Sequence, residues 1–214
     1  MKLSDNTINI LKNFSTINKA IEVKAGNTLA TISPAKTIFA KTAVEENFEV
    51  PFAIYELPKF LGALSLFSSP ELTFSEKYVT ISENNQKIRY TYCDPSTIVV
   101  APSKDISLPD TIASVEIKGS AIQSLLKSLG VLGLPEIVIF GDGASVYIAA
   151  ANSKNPSTDE YSIKLADSEA EFKIFFNKEN FKLLERDYTV SLSKSGLAEF
   201  VSGDLKYFII GEAK

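Results

Sequence analysis

Apolar residues recur along this chain with two periods, and the switches between them divide it into elements. Over residues 5–17, Ile10, Leu11, Phe14 and Ile17 share one face at helical spacing, with Ser4 or Asp5 placed to cap the first turn. Strand-like runs follow at 20–24, 28–33, 37–43 and 48–54. A second helix is predicted over 57–67, burying Leu57, Phe60, Leu61, Leu64 and Phe67. Pro58 is accommodated there because the first turn needs no backbone donor. Strands at 71–75, 78–82 and 87–92 complete the first half.

The second half repeats this order. A helix over 120–129 presents Ile122, Leu125, Leu126 and Leu129, and strands are expected at 136–140, 145–151, 160–165 and 171–176. A fourth helix is predicted over 178–185, capped by Asn177 and turning Phe181 and Leu184 inward, before strands at 188–193, 197–202 and 207–210. The pattern recurs at an offset of roughly 115 residues, a repeat of element order with little identity of residues. An α+β chain of two similar domains is therefore expected, at 1–93 and 110–214. The connector over 94–109 contains Pro95, Pro102 and Pro109 and reads as extended. It also carries Val99, Val100, Ile106 and Leu108, more apolar surface than a solvated tether needs, so it should lie against a surface or edge a groove for a partner.

Composition removes most chemistry. The 214 residues include no His and a single Cys, Cys93. Ser–His–Asp and Cys–His catalysis and the common zinc sites therefore cannot be built. An all-carboxylate Mg²⁺ site is not excluded by composition, but no paired-carboxylate signature, P-loop or dinucleotide fingerprint is present. Gly141-Asp142-Gly143 lies between two alternating runs and reads as a hairpin turn, not a phosphate loop. No metal, cofactor or enzymatic activity is expected. There is no apolar run of membrane-spanning length and no signal peptide, so a cytoplasmic protein without a membrane partner is expected.

Charge gives the first positive clue. The net charge is −4, yet each predicted helix turns Lys or Arg outward: Lys12 and Lys19 on and after the first, Lys59 on the second, Lys127 on the third, and Lys178, Lys182 and Arg186 on the fourth. Most acids fall in strands and turns. A basic helical face on an acidic protein fits phosphate attraction without base readout, and no aromatics interleave to stack single strands.

Three collinear blocks carry a family resemblance: Met1-Lys2-Leu3-Ser4 with residues 11–18, Ala53-Ile54-Tyr55-Glu56-Leu57 with residues 60–66, and Asp94-Pro95-Ser96-Thr97-Ile98-Val99-Val100-Ala101-Pro102. They resemble the sliding clamps of T-even-type bacteriophages. The second half is similar mainly in its order of elements. The resemblance implies two clamp-type domains per subunit, helices on the inner face of a ring and antiparallel sheets outside, in a homotrimer. It implies sequence-independent binding of double-stranded DNA, a replicative DNA polymerase as partner, and a clamp-loader ATPase to open the ring. Lys12 and Lys59 lie in or beside the matched blocks and are the first DNA-facing candidates. Lys19, Lys127, Lys178, Lys182 and Arg186 follow from the charge pattern. Val99, Val100, Pro102, Ile106, Leu108 and Pro109 would border the groove for apolar tails of the polymerase and other replication proteins. A monomeric protein- or peptide-binding module of the same fold is the rival reading.

Overall fold

The structure is a computed structural model that describes residues 1–155 and 157–213. It divides into two compact units, Met1–Lys104 and Asp105–Lys214. In both, antiparallel sheets carry most of the chain and helices pack on them.

The first unit opens with α1, Asp5–Ile17, whose buried positions are Thr7, Ile10, Leu11, Phe14 and Ile17. The strands β1 (Ile21–Val23) and β4 (Phe52–Ile54) pair, as do β2 (Gly26–Ile32) and β3 (Ile38–Phe48). The helix α2, Leu57–Leu64, ends three residues before the predicted limit, and the three-stranded sheet β5 (Glu71–Phe74), β6 (Tyr78–Glu83), β7 (Gln86–Thr91) closes the unit. Aromatic rings join these elements: Phe48 meets Phe52 and Phe74 at 5.7 Å, and Phe60 of α2 meets Tyr90 of β7 at 5.2 Å.

β3 corrects the sequence reading, which broke the strand after Ala43. Its alternate residues Ile38, Ala40, Thr42, Val44, Glu46 and Phe48 are all buried. Glu46 faces inward and holds the start of α1. Its carboxylate accepts the Ser4 N–H and the Thr7 hydroxyl, while Ser4 Oγ accepts the Thr7 N–H at 3.2 Å as the N-cap. A buried carboxylate at a helix amino terminus satisfies orphan donors and complements the helix dipole. Burial pushes the Glu46 carboxyl up, but the hydrogen bonds from Thr7 and Ser4 outweigh it and hold the group below its ordinary range.

The second unit contains two strand arrays. One runs β11 (Tyr161–Asp167), β10 (Ser145–Ala151), β9 (Glu136–Asp142), β12 (Glu171–Asn177), β16 (Glu212–Ala213). The other contains β8 (Ala113–Ile117), β13 (Tyr188–Leu192), β14 (Leu197–Ser202) and β15 (Leu205–Ile210), paired in that order. The helix α3, Gly119–Val131, packs on β10 and β11 through a buried face that includes Ile122, Leu125 and Leu129. Leu126 is exposed, against expectation. The hairpin reading of Gly141-Asp142-Gly143 holds: Gly143 adopts φ +87°, and the Asp142 carboxylate accepts the N–H groups of Ala144 and Ser145.

The fourth helix is absent. Lys178–Asn180 forms a single 3-10 turn, which Asn177 caps by accepting the Glu179 N–H at 2.9 Å. At Phe181 the backbone leaves the helical region with ψ 59°, and its ring inserts between Phe176 and Phe200 at 5.9 and 5.4 Å. Two tyrosines then take the backbone groups that a helix would have used. The Leu184 N–H donates to Tyr207 Oη, and the Tyr188 hydroxyl donates to the Leu184 carbonyl. The strands β8 and β16 were also missed.

Replacing Glu46 by Ala leaves a buried hydroxyl and an N–H without their acceptor and is expected to cost about 2 kcal/mol. Urea unfolding should show this as a lower midpoint at unchanged slope. Because the folded carboxyl sits below the ordinary value of 4.5, its contribution is complete above that pH and is lost as pH falls through the lower folded value. The stability gap between the wild type and Glu46→Gln should therefore shrink on acidification; a gap that stays constant would refute the assignment.

Candidate functional site

On α1, Lys12 is exposed opposite the face that buries Phe14, and Lys19 is exposed just past the helix end. On α2, Lys59 is exposed and faces Glu56 at 3.6 Å, an exposed pair that holds little energy and tempers the local charge. One turn on, a side chain at Gly62 would meet open space, so this face of α2 is bare. On α3, Lys127 is exposed beside Ser120, Gln123 and Ser124.

Lys178, Lys182 and Arg186 do not share a helix face, since there is no fourth helix. All three are half-buried, Lys178 in the 3-10 turn and the others in the irregular segment after it. That segment runs close to α3, where a Cβ on Gly119 would lie 3.0 Å from the Arg186 carbonyl oxygen. Asp187 then supplies the cap that α3 lacks. Its carboxylate accepts the Gly119 N–H at 2.9 Å and pairs with Lys118 Nζ at 2.8 Å. The hydrogen bond from Lys118, followed by that from Gly119, holds the Asp187 carboxyl below its ordinary value.

The first part of the predicted connector is held locally. Asp94 caps a 3-10 turn at Pro95–Thr97 by accepting the Ser96 N–H at 2.9 Å. Asn18 Nδ2 donates to the Val99 carbonyl at 3.1 Å, and Lys24 Nζ donates to Ser103 Oγ at 2.7 Å. Between these anchors Val99 and Val100 are each 39% exposed, and Pro102 is exposed. Ile106 and Leu108 are half-buried and Pro109 is exposed; these three belong to the second unit, whereas Val99, Val100 and Pro102 belong to the first.

From the sequence, edge strands at each subunit end are expected to pair across an interface, without their residues being named. β7 ends the sheet of the first unit, and β11 ends the five-stranded sheet of the second. Each lies beside a helix whose far end exposes apolar side chains: Leu66, 70% exposed, follows α2, and Val131, 77% exposed, ends α3. Val131 carried a signal, since it falls out of phase with the buried stripe of α3. Cys93 is half-buried with its thiol pushed up by burial, the opposite of an activated nucleophile. Among the described residues no cluster of three acidic, His or Cys side chains could hold a metal, and no helix is long and apolar enough to cross a membrane.

Comparison with known proteins fixes what these features belong to. A profile described as DNA polymerase processivity factor matches residues 3–100, and one described as gp45 sliding clamp, C terminal, matches 114–213. The chain is 33% identical to the sliding clamp of Vibrio phage KVP40 over the full length of both. It is 34% identical to that of Enterobacteria phage T4, covering 100% of this chain and 97% of the relative. The chain belongs to the sliding-clamp family. The clamp fold extends to PCNA of A. fulgidus, solved with the C-terminal region of FEN-1 bound: the TM-score is 0.71 at 12% identity, over 100% of this chain and 99% of that one. As a member of this family, the clamp is an accessory factor of DNA replication and not an enzyme.

Asp187→Ala should fray the first turn of α3 in this clamp, because Gly119 loses its acceptor and Lys118 its partner. Amide exchange at the start of α3 should accelerate while β9 and β10 stay protected; unchanged exchange there would show that Asp187 does not cap the helix.

Proposed function

We propose that three copies of this chain close head to tail into a ring around duplex DNA and tether the replicative polymerase for processive synthesis, working in the cytoplasm of the host cell. The observation that supports this reading most is the pair of open edges. β7 of one copy and β11 of the next are of similar length, and among the described residues both lack a second strand neighbour. Pairing them antiparallel would satisfy two rows of backbone groups that otherwise invite aggregation. A contact between two different patches is heterologous, the type that generates rings when the rotation closes. The charges suit it: β7 bears Lys87 and Arg89, while β11 and its approach bear Asp159, Glu160 and Asp167 against Lys164. Leu66 of one copy and Val131 of the next would then leave water together.

In the ring, Lys12, Lys19, Lys59 and Lys127 face the phosphates, with Lys178, Lys182 and Arg186 contributing from the irregular segment. Such contacts are salt-sensitive and blind to sequence, which permits sliding. Retention is topological and needs no tight site, so a net negative protein can hold DNA without coating it. A loader ATPase opens the ring. Residues 94–109 act as the connector between domains 1–93 and 110–214, and Val99, Val100, Pro102, Ile106, Leu108 and Pro109 receive apolar tails of the polymerase and its competitors. Tail binding converts polymerase rebinding into an intramolecular event at high effective concentration.

Sedimentation with and without nicked circular DNA, in the presence of the clamp-loader ATPase and ATP, tests the assembly. A mass of three chains and retention on circular but not linear DNA are expected; a concentration-independent monomer that ignores DNA would return the chain to the rival, peptide-binding reading. Lys12→Glu combined with Lys59→Glu should preserve the trimer and its melting temperature while reducing loading and processivity by about tenfold or more at physiological salt. Unchanged processivity would remove both from the DNA face. Val100→Asp should instead weaken a polymerase-tail peptide by about tenfold, measured by fluorescence anisotropy, and leave DNA retention intact; undiminished tail affinity would exclude Val100 from the groove.

A further inference from the structure

Asn18 follows α1, where an Asn is commonly used for its tolerance of left-handed backbone. That explanation fails here, because Asn18 has φ −142° and ψ 130°, an extended conformation open to any residue. Its side chain is what the position uses. The residue is only 7% exposed, and every polar group of its amide is engaged. Oδ1 accepts the Ala20 N–H at 3.0 Å, while Nδ2 donates to the Ile32 carbonyl at 2.9 Å and the Val99 carbonyl at 3.1 Å. Two carbonyls and one N–H around the amide fix its orientation: oxygen toward Ala20, nitrogen toward Ile32 and Val99. No other side chain of similar size supplies two donors and an acceptor with no charge, apart from the longer Gln.

The three partners lie on different elements. Ala20 leads into β1, Ile32 ends β2, and Val99 begins the exposed apolar part of the connector. The Asn18 backbone N–H also closes α1 by donating to the Phe14 carbonyl at 2.9 Å. The adjacent Lys19 carbonyl accepts the Leu57 N–H, the first of α2, at 2.6 Å. Residues 18–20 therefore join the end of α1, the start of α2 and the connector. The connector's second anchor, Lys24 to Ser103, is an exposed contact between two flexible groups and holds it more weakly.

We propose that Asn18 is the positioning residue of the partner groove: it sets the height and register of Val99 and Val100 against the unit that carries α1 and α2. This rests on the reading of the connector as the tail-binding edge. Carbonyl capture by a buried amide is rigid, and it leaves both valine side chains free to meet an incoming apolar tail. Rigid presentation lowers the ordering cost of binding, so loss of the tether is read as loss of affinity.

Asn18→Asp separates this role from the local turn, because the carboxylate still accepts the Ala20 N–H but cannot donate to Ile32 or Val99. In the full-length chain, exchange of the backbone amides of residues 98–104 should accelerate about tenfold or more. α1 should stay protected within about twofold. The Kd of a labelled peptide copying the cognate polymerase tail should rise about tenfold, the worth of one net hydrogen bond. Retention on nicked circular DNA should not change, whereas general loosening of the unit would lower both. Asn18→Gln, which keeps both donors, should recover part of the affinity. Connector exchange equal to wild type in Asn18→Asp would overturn the proposal. The wild-type chain offers an independent check should the variant fail to fold: the Asn18 side-chain amide protons, followed by NMR, should exchange far more slowly than those of free asparagine, and exchange at the free rate would also overturn it. If the wild type binds no tail peptide, the partner reading fails, while the exchange measurements still decide whether Asn18 tethers the connector.

Discussion

The amino termini of α1 and α3 each present backbone N–H groups that local sequence only partly satisfies, and in each unit a carboxylate distant in the chain completes the cap. Glu46 reaches α1 from β3 across 42 positions, and Asp187 reaches Gly119 of α3 across 68. Unpaired helix donors are costly when buried, and a negative charge there also meets the positive end of the helix dipole. Glu46 thereby ties α1 to β3, and Asp187 ties α3 to the segment before β13, while the apolar stripes leave the opposite side of each helix to solvent. Lys12 and Lys127 sit on those remaining sides.

The same logic accounts for an acidic protein that serves DNA. Several of its acids are spent inside the fold or at its turns: Glu46 and Asp187 as caps, Asp94 and Asp142 in tight turns, Glu136 on Ser153. Glu46, Asp94, Asp142 and Asp187 stay charged, so the field at the helix lysines depends on where the acids lie and not on their hydrogen bonds. The proposed ring needs no stronger field than this: its hold on DNA would come from closure, and closure would draw on backbone groups at sheet edges and on a few exposed apolar side chains, features that a charge count does not register.

The connector belongs to the same economy of backbone contacts. Residues 94–104 form no strand, yet they are fastened by a capped turn, by the Asn18 amide and by Lys24, with the valines left outward. Fastening through main-chain carbonyls leaves side chains free, as the proposed partner groove requires.

Much of the fold was legible in the sequence. The buried stripes of α1 and α3, the helix start at Pro58, the hairpin at Gly143 and most strands followed from periodicity and turn chemistry, because those depend on near neighbours. The missing histidines excluded whole classes of catalysis, and three collinear blocks pointed to the family. What the tertiary structure alone decided depended on partners far along the chain. Tyr188 and Tyr207 took the backbone groups of Leu184 and ended the predicted fourth helix at one 3-10 turn. Glu46 became an inward-facing residue because Ser4 and Thr7 waited for an acceptor, and β3 therefore ran on to Phe48. Asn18 became a tether only because folding brought Ile32 and Val99 beside it. A local pattern fixes which face a residue turns; only the folded chain determines which unsatisfied group it turns toward.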